Sequence, residues 1–315
     1  NGAGTGTITL GDSSGNNAAG LSIANTITVP NNIALNTNGT LSVATAGGWS
    51  VTLSGNITGS NNLILNATSS TGITLSGSVN NSGVIINSGT GSGTNIISGT
   101  VGANVTGITE NSTTSALTVS GAITANANAT TITDAAGSIT ISGGVSGTGN
   151  VILNNNTSTN GALSITTNGF SNVGTITNSG SGSGAMTISV PISANVTGVT
   201  QNSATSALTI SGVITSNAIA TIITDSVGTM SITGGINGTG NVVLNNNTST
   251  NNAINITTGA LSNAGTITNS GTGSGSETIG VVISGAATNR ITQNSATSSL
   301  ILTGANTFTG TITIS

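Results

Sequence analysis

The sequence predicts an all-β fold, a right-handed, three-faced parallel β-helix of about 14 coils, each of about 22–24 residues, and three observations carry that prediction. Long stretches recur at a fixed offset of 91 residues. Within each stretch, short strands alternate apolar and polar residues on a beat near one quarter of that offset. The residues between the strands are overwhelmingly Gly, Ser, Asn and Thr, the residues of turns.

The composition separates this chain from a disordered one. Only 2% of its 315 residues are charged, against about 25% in an ordinary soluble domain. Disorder usually combines high net charge with few β-branched residues. This chain has a formal charge of −4 and abundant Ile, Val and Thr. Its length would suggest two or three domains, but repeat proteins grow by adding units to one core. The expectation is therefore a single continuous solenoid over residues 1–315.

The 91-residue repeat is explicit. NVTGITENSTTSALTVSG from Asn104 returns as NVTGVTQNSATSALTISG from Asn195, and GTGNVILNNNTSTN from Gly147 returns from Gly238 as GTGNVVLNNNTST. TITNSGSGSG at Thr175 likewise reappears at Thr266 as TITNSGTGSG. The units run 104–194 and 195–285, with a partial copy over 286–315 that contains ITQNSATSSL.

Three apolar ladders divide each unit into four coils. The first runs Ile8, Ile27, Val51, Ile73, Asn95, Leu117, Ile139, Leu163, Met186, Leu208, Met230, Ile254, Glu277, Leu300. The second, past a Ser-Gly turn, runs Ile57, Val79, Val101, Ile123, Val145, Phe170, Ile192, Ile214, Ile236, Leu261, Ile283, Phe308. The third runs Ile64, Ile85, Ile108, Ile132, Ile152, Ile176, Val199, Ile223, Val243, Ile267, Ile291, Ile312. The Ser-Gly and Asn-Gly pairs are expected to supply positive φ at the corners, and parallel crossovers default to the right-handed sense. A lone coil buries too few aliphatic side chains to offset the entropy of ordering it, so stacking must stabilise the fold. At about 4.8 Å per coil, 14 coils would make a rod of about 67 Å.

Two residues past the third ladder lies a polar column, which reads Asn66, Asn87, Glu110, Asp134, Asn154, Asn178, Gln201, Asp225, Asn245, Asn269, Gln293. Positions i and i+2 of a strand face the same way, so these side chains are expected to turn inward and hydrogen-bond along the stack. The column accounts for three of the five acids. Glu110 is replaced by Gln in the equivalent coils, as a structural position tolerates, and acids spread along a rod do not form a carboxylate pair facing one cleft. Glu277 falls on an inward position, where a lone carboxylate is costly. A local bulge turning it outward is expected, with Arg290 as a structural partner.

Other chemistry lacks its residues. The absence of His and Cys removes the commonest metal ligands and the usual general base. Without Lys there is no Schiff base or Walker-type phosphate site. The Gly-rich stretches at Gly180 and Gly271 recur with the repeat and precede no helix, and the calcium-binding nonapeptide is absent. No catalytic, cofactor or metal residue is assigned, so the chain reads as a non-enzyme. One cation provides no basic surface for nucleic acid, and no segment reaches the ~18 apolar residues of a membrane helix. Trp49, Phe170 and Phe308 are read as corner or core aromatics, and the many Asn-x-Ser/Thr sequons follow from composition. Ice binding needs outward Thr pairs coil after coil; on the third strand Thr131/Thr133 give way to Val151/Leu153 before Thr175/Thr177.

The segment from Ser298 to Ser315, with its core LTGANTFTG at Leu302 to Gly310, resembles the passenger-associated strand repeat of bacterial autotransporters. That resemblance covers under a tenth of the chain. It implies a right-handed β-helix exported across an outer membrane and displayed extracellularly or at the bacterial surface. The translocator barrel and the globular catalytic insertions of such families have no counterpart in this sequence.

The ends read as core strands, TGTITL at Thr5 to Leu10 and TGTITI at Thr309 to Ile314. Uncapped edges recruit other strands. Thr7, Ile8, Thr9 and Leu10 against Thr311, Ile312, Thr313 and Ile314 are the expected assembly ends. Joining Ile312 to Ile8 of the next copy reproduces the spacing of the native step from Val243 to Ile254. The expected role is a surface stalk or filament with head-to-tail self-association, the alternative partner for those ends being further coils of a longer chain. An adhesin binding a receptor or glycan is the other reading.

Overall fold

A computed structural model describes residues 4–12, 14, 17–43, 48–284 and 291–315. Among them every regular element is a strand, every named strand pair is parallel, and no helix occurs. The fold is a parallel β-solenoid of about 13 turns. It divides into two compact units, one of residues 1–149 with 162–167 and one of residues 150–161 with 168–315.

In the first unit, one sheet stacks Ile27–Val29, Val51–Leu53, Ile73–Leu75, Asn95–Ile97, Leu117–Val119, Ile139–Ile141 and Leu163–Ile165. From Val51–Leu53 onward its strands bury their first and third residues, which is the alternation the three-residue motifs encode. A second sheet stacks Ala19–Ile23, Gly39–Val43, Leu63–Ala67, Val84–Asn87, Gly107–Glu110 and Thr130–Asp134. A row of short strands and single bridges runs through Ile8, Ile33, Ile57, Val79, Val101, Ile123 and Val145.

The second unit repeats this plan. Met186–Ile188, Leu208–Ile210, Met230–Ile232, Ile254–Ile256, Glu277–Ile279 and Leu300–Leu302 form one sheet. The other runs from Val151–Asn155 through Thr175–Asn178, Gly198–Asn202, Ala220–Val227, Asn241–Asn246, Ile267–Asn269 and Ile291–Gln293 to Ile312–Ile314. Its bridges join Phe170 to Ile192 and Ile214, and Ile236 to Leu261 and Ile283. The core is mostly aliphatic, and Phe170 is its largest fully buried side chain.

The structure corrects the sequence-based register in four places. Ile8 pairs with Ile33, in the row of Ile57 rather than that of Ile27, so the first ladder has 13 rungs. Ile27 follows Ile8 too soon to complete a coil, and the chain returns over Ile8 only at Ile33. Ile8 and Ile312 therefore belong to different rows, and the head-to-tail step loses its native counterpart.

Phe308 is also off its rung. The Thr307 amide donates to the Ile283 carbonyl, a bond that places Asn306 over Ile283, as the Ser284 amide bond to Leu261 accompanies Ile283 over Leu261.

Third, Ile64, Ile152 and Val243 point away from the core, which is filled by Leu63 and Leu65, Val151 and Leu153, and Val242 and Leu244. Each strand carries three consecutive apolar residues, so alternation leaves a one-residue ambiguity, and a one-residue slip exchanges the two faces. The outward pair after residue 150 is accordingly Ile152/Asn154, which still interrupts the Thr array.

Fourth, only some of the Ser-Gly and Asn-Gly pairs supply positive φ: Ser146-Gly147, Asn160-Gly161 and Asn237-Gly238 do, whereas Gly55, Gly77, Gly99, Gly121 and Gly143, which follow the first-sheet strands, do not. Those five positions require glycine because the neighbouring coil is in the way. A Cβ on Gly99 would stand 1.8 Å from the Gly77 carbonyl oxygen, and one on Gly121 would stand 1.8 Å from that of Gly99.

Candidate functional site: the buried polar corner

The polar column turns into the interior at the corner following the second sheet. In the first unit Asn87, Glu110 and Asp134 stack in register and are fully buried. In the second, the inward positions are Asn155, Asn178, Gln201, Asp225, Asn246, Asn269 and Gln293, all fully buried except the half-buried Gln293. Asn66, Asn154 and Asn245 lie instead on the outward side of their strands, as the same one-residue slip requires. Ala67, Asn155 and Asn246 occupy the inward positions in those coils.

Each 91-residue unit rebuilds one hydrogen-bond network at this corner. The Asn178 amide donates to Gln201 Oε1 at 2.7 Å and to the Ser206 carbonyl at 2.9 Å. Gln201 Nε2 donates to the carbonyls of Ser203 and Ser206, both at 2.8 Å. The Ser206 amide donates to Ser203 Oγ at 2.9 Å, and the Ser203 hydroxyl donates to the Gly180 carbonyl of the coil below. The same bonds recur with Asn269, Gln293, Ser295, Ser298 and Gly271. Asn155 and Asn246 each fold a Thr corner. Their Oδ1 atoms accept from the amide and hydroxyl of Thr157 and Thr248, and their amides donate to Thr159 and Thr250.

The first unit departs from this network at one residue. Asn87 donates to Glu110 Oε2 at 2.7 Å and to the Ser115 carbonyl at 2.6 Å, as its counterparts do. Where Gln201 donates, Glu110 accepts: its Oε1 takes the Ser112 amide at 2.7 Å. Asp134 Oδ1 takes the Gly137 amide at 3.0 Å, and its Oδ2 has no partner.

All four interior acids are held above the ordinary carboxylate range, because burial disfavours the charged form. Burial pushes Glu110 up to about 7, against the Asn87 and Ser112 hydrogen bonds, and the adjacent Asp134 adds to the rise. Asp134 is raised by burial, with the Gly137 and Ala136 amides opposing. Burial pushes Asp225 up to about 7; the Val227 amide approaches and lowers the value without meeting hydrogen-bond geometry, so both carboxyl oxygens lack a hydrogen-bond partner.

Glu277 is fully buried within a regular strand paired with Leu300, so the outward bulge does not exist. Its Oε1 takes the Asn246 amide at 2.7 Å, burial raises it to about 7, and Oε2 is without a partner. Arg290 lies outside the described residues. Asn95, one 91-residue step before Met186 and two before Glu277, is held inward by donation to Asn87 Oδ1 at 2.7 Å and by the Ile73 amide, also at 2.7 Å.

Sequence reasoning missed a second buried asparagine row, Asn81, Asn172 and Asn263, spaced by the full repeat. The Asn81 amide donates to the Asn61 carbonyl at 2.7 Å and that of Asn263 to the Gly240 carbonyl at 3.0 Å. The signal was the Asn in NNSG, SNVG and SNAG at a constant offset.

The expected assembly ends are ordinary outer strands of their units, Ile8–Leu10 on Ile33–Leu35 and Ile312–Ile314 on Ile291–Gln293. Fold and interior together define a repeat protein of the β-solenoid class, with a polar corner that carries register. No protein-family model, curated protein or solved structure gives a significant match to the chain.

Proposed function

We propose that this solenoid is a structural spacer displayed outside the cell, a stalk whose length is set by the number of coils. The observation that carries the reading is the corner network, rebuilt bond for bond at Asn178 and Asn269 and with one Gln-to-Glu exchange at Asn87. A chain that repeats its interior at this level of detail preserves a unit of length, while nothing comparable recurs toward a single position. The similarity of Ser298–Ser315 to an autotransporter passenger repeat favours surface display, as does the nearly charge-free composition.

Removing residues 104–194 tests this, because Asn104 and Asn195 begin equivalent coils. The shortened chain is expected to keep its β spectrum and lose four coils, about 19 Å of length by X-ray scattering at ~4.8 Å per coil. Antibody labelling of intact cells producing the protein is expected to match labelling of permeabilised ones. Collapse of the in-phase deletion, or labelling confined to permeabilised cells, overturns the reading.

A further inference from the structure

We propose that Glu110 and Asp134 share a single proton between adjacent coils, and that its loss loosens the corner of the first unit. Their strands pair residue on residue, Glu110 against Asp134, and both side chains are fully buried. Two stacked carboxylates need a neutralising partner. From the strands packed around Glu110, the groups that face it or its hydrogen-bond partners are Asn87, Asn95, Ser115 and Asp134. Asp134 alone among them titrates. The remaining described acids are Asp12, near the start of the first unit, and Asp225 and Glu277 of the second unit.

A proton satisfies this site better than a metal ion does. Both Glu110 oxygens already accept N–H donors, from Ser112 and Asn87, which orient positive charge at the carboxylate and compete with a cation. Asp134 Oδ2 accepts no hydrogen bond, so it is the oxygen of the pair free to carry hydrogen. Protonated there, it donates to the Glu110 carboxylate, and the pair carries one negative charge. Loss of the proton to hydroxide yields water and two adjacent carboxylates.

The strain then falls on defined segments. Glu110 holds the Ser112 amide and Asp134 holds the Gly137 amide. Those residues stack against each other and line a surface cleft of about 310 Å³, with Ser115 and Ser138. The equivalent coils of the second unit hold Gln201 against Asp225, so they contain one carboxyl where the first unit contains two. The raised affinities of Glu110 and Asp134 for protons agree with the geometry.

The test is carboxyl-carbon NMR of the full chain, which has only five acidic side chains to assign, from pH 4 to 10. Glu110 and Asp134 are expected to titrate together, the last proton leaving above the ordinary range. Glu110→Gln, which installs the Gln201 solution, and Asp134→Asn should each lower the partner's midpoint by about one pH unit, a tenfold change in proton affinity. Exchange of the Ser112 and Gly137 amides, normalised to Ser203 and Gly228, should accelerate above the midpoint in the parent and not in Glu110→Gln. Independent titration in the ordinary range overturns the proposal. So does a midpoint that falls saturably with millimolar calcium, which would assign the site to a cation.

Discussion

Replacing Asp225 with Asn isolates the energetic effect of a buried acid in the ladder. Asp225 pairs in register with Gln201 on one side and Asn246 on the other, so the substitution extends a run of amides. Its proton affinity rises from 3.8 to about 7 through burial. At about 1.4 kcal/mol per tenfold, the ionised form is disfavoured in the native state by about 4 kcal/mol. Below pH 3.8 the carboxyl is protonated in both states and the substitution changes little. Between 3.8 and about 7 the unfolded chain releases its proton first, so native stability falls as pH rises, and above about 7 the full penalty persists. Asp225→Asn is therefore expected to be near neutral at pH 4 and stabilising by up to about 4 kcal/mol at pH 8.5, about a thousandfold in the opening equilibrium. Amide exchange in Gly198–Asn202 and Asn241–Asn246, compared between the two proteins at each pH, reads this directly because intrinsic base catalysis cancels. Equal protection at pH 8.5 would refute the reasoning. A gain of the same size at pH 4 would assign the effect to packing rather than charge.

Three further outcomes follow from the same interior. Gly99→Ala should destabilise the first unit by about 1–3 kcal/mol or more in urea unfolding, because the new methyl meets the Gly77 backbone rather than a movable side chain. Phe170→Ala should lose about 3–5 kcal/mol by the same measurement, and Phe170→Leu much less, since the ring is fully buried over Ile192. Glu277→Gln should keep the Asn246 amide bond, leave stability at pH 4 unchanged and raise it above pH 7, as thermal melts at both pH values would record, because the carboxyl it replaces is raised to about 7 by burial.

The strand order was legible because alternation and a fixed offset are both properties of the sequence. Val51, Ile73 and Leu117 could be placed inward from three residues each, and their sheet follows. Legibility failed where the pattern lost information. Leu63-Ile64-Leu65 and Val242-Val243-Leu244 offer two equivalent faces, and only the corner that follows chooses between them. In the second case Asn246 folds Thr248 and Thr250, so the inward face is selected by the second asparagine of the run. The glycines after the first-sheet strands were misread for a related reason, although Gly147, Gly161 and Gly238 take the positive φ their pairs suggest. A Ser-Gly pair at a corner suggests a φ requirement within one coil, whereas the constraint on Gly99 comes from Gly77, its counterpart one coil earlier.

The polar corner resolves a difficulty that an all-aliphatic solenoid would face. Identical coils can slide past one another by two residues at smaller energetic difference than by one, because a two-residue shift keeps the same face inward and brings apolar side chains against similar neighbours. A buried amide does not tolerate that slip, since its donors and acceptors must each find a partner in the interior. Asn178 reaches Gln201 one coil along and Ser206 beyond it, and such a shift would strand both bonds it donates. The acids at Glu110, Asp134 and Asp225 occupy the same positions, but burial disfavours their charged forms, a cost the amides do not carry. The corner's contribution to register is therefore expected to be insensitive to pH where it is built of amides, and to weaken as pH rises where it is built of buried carboxyls.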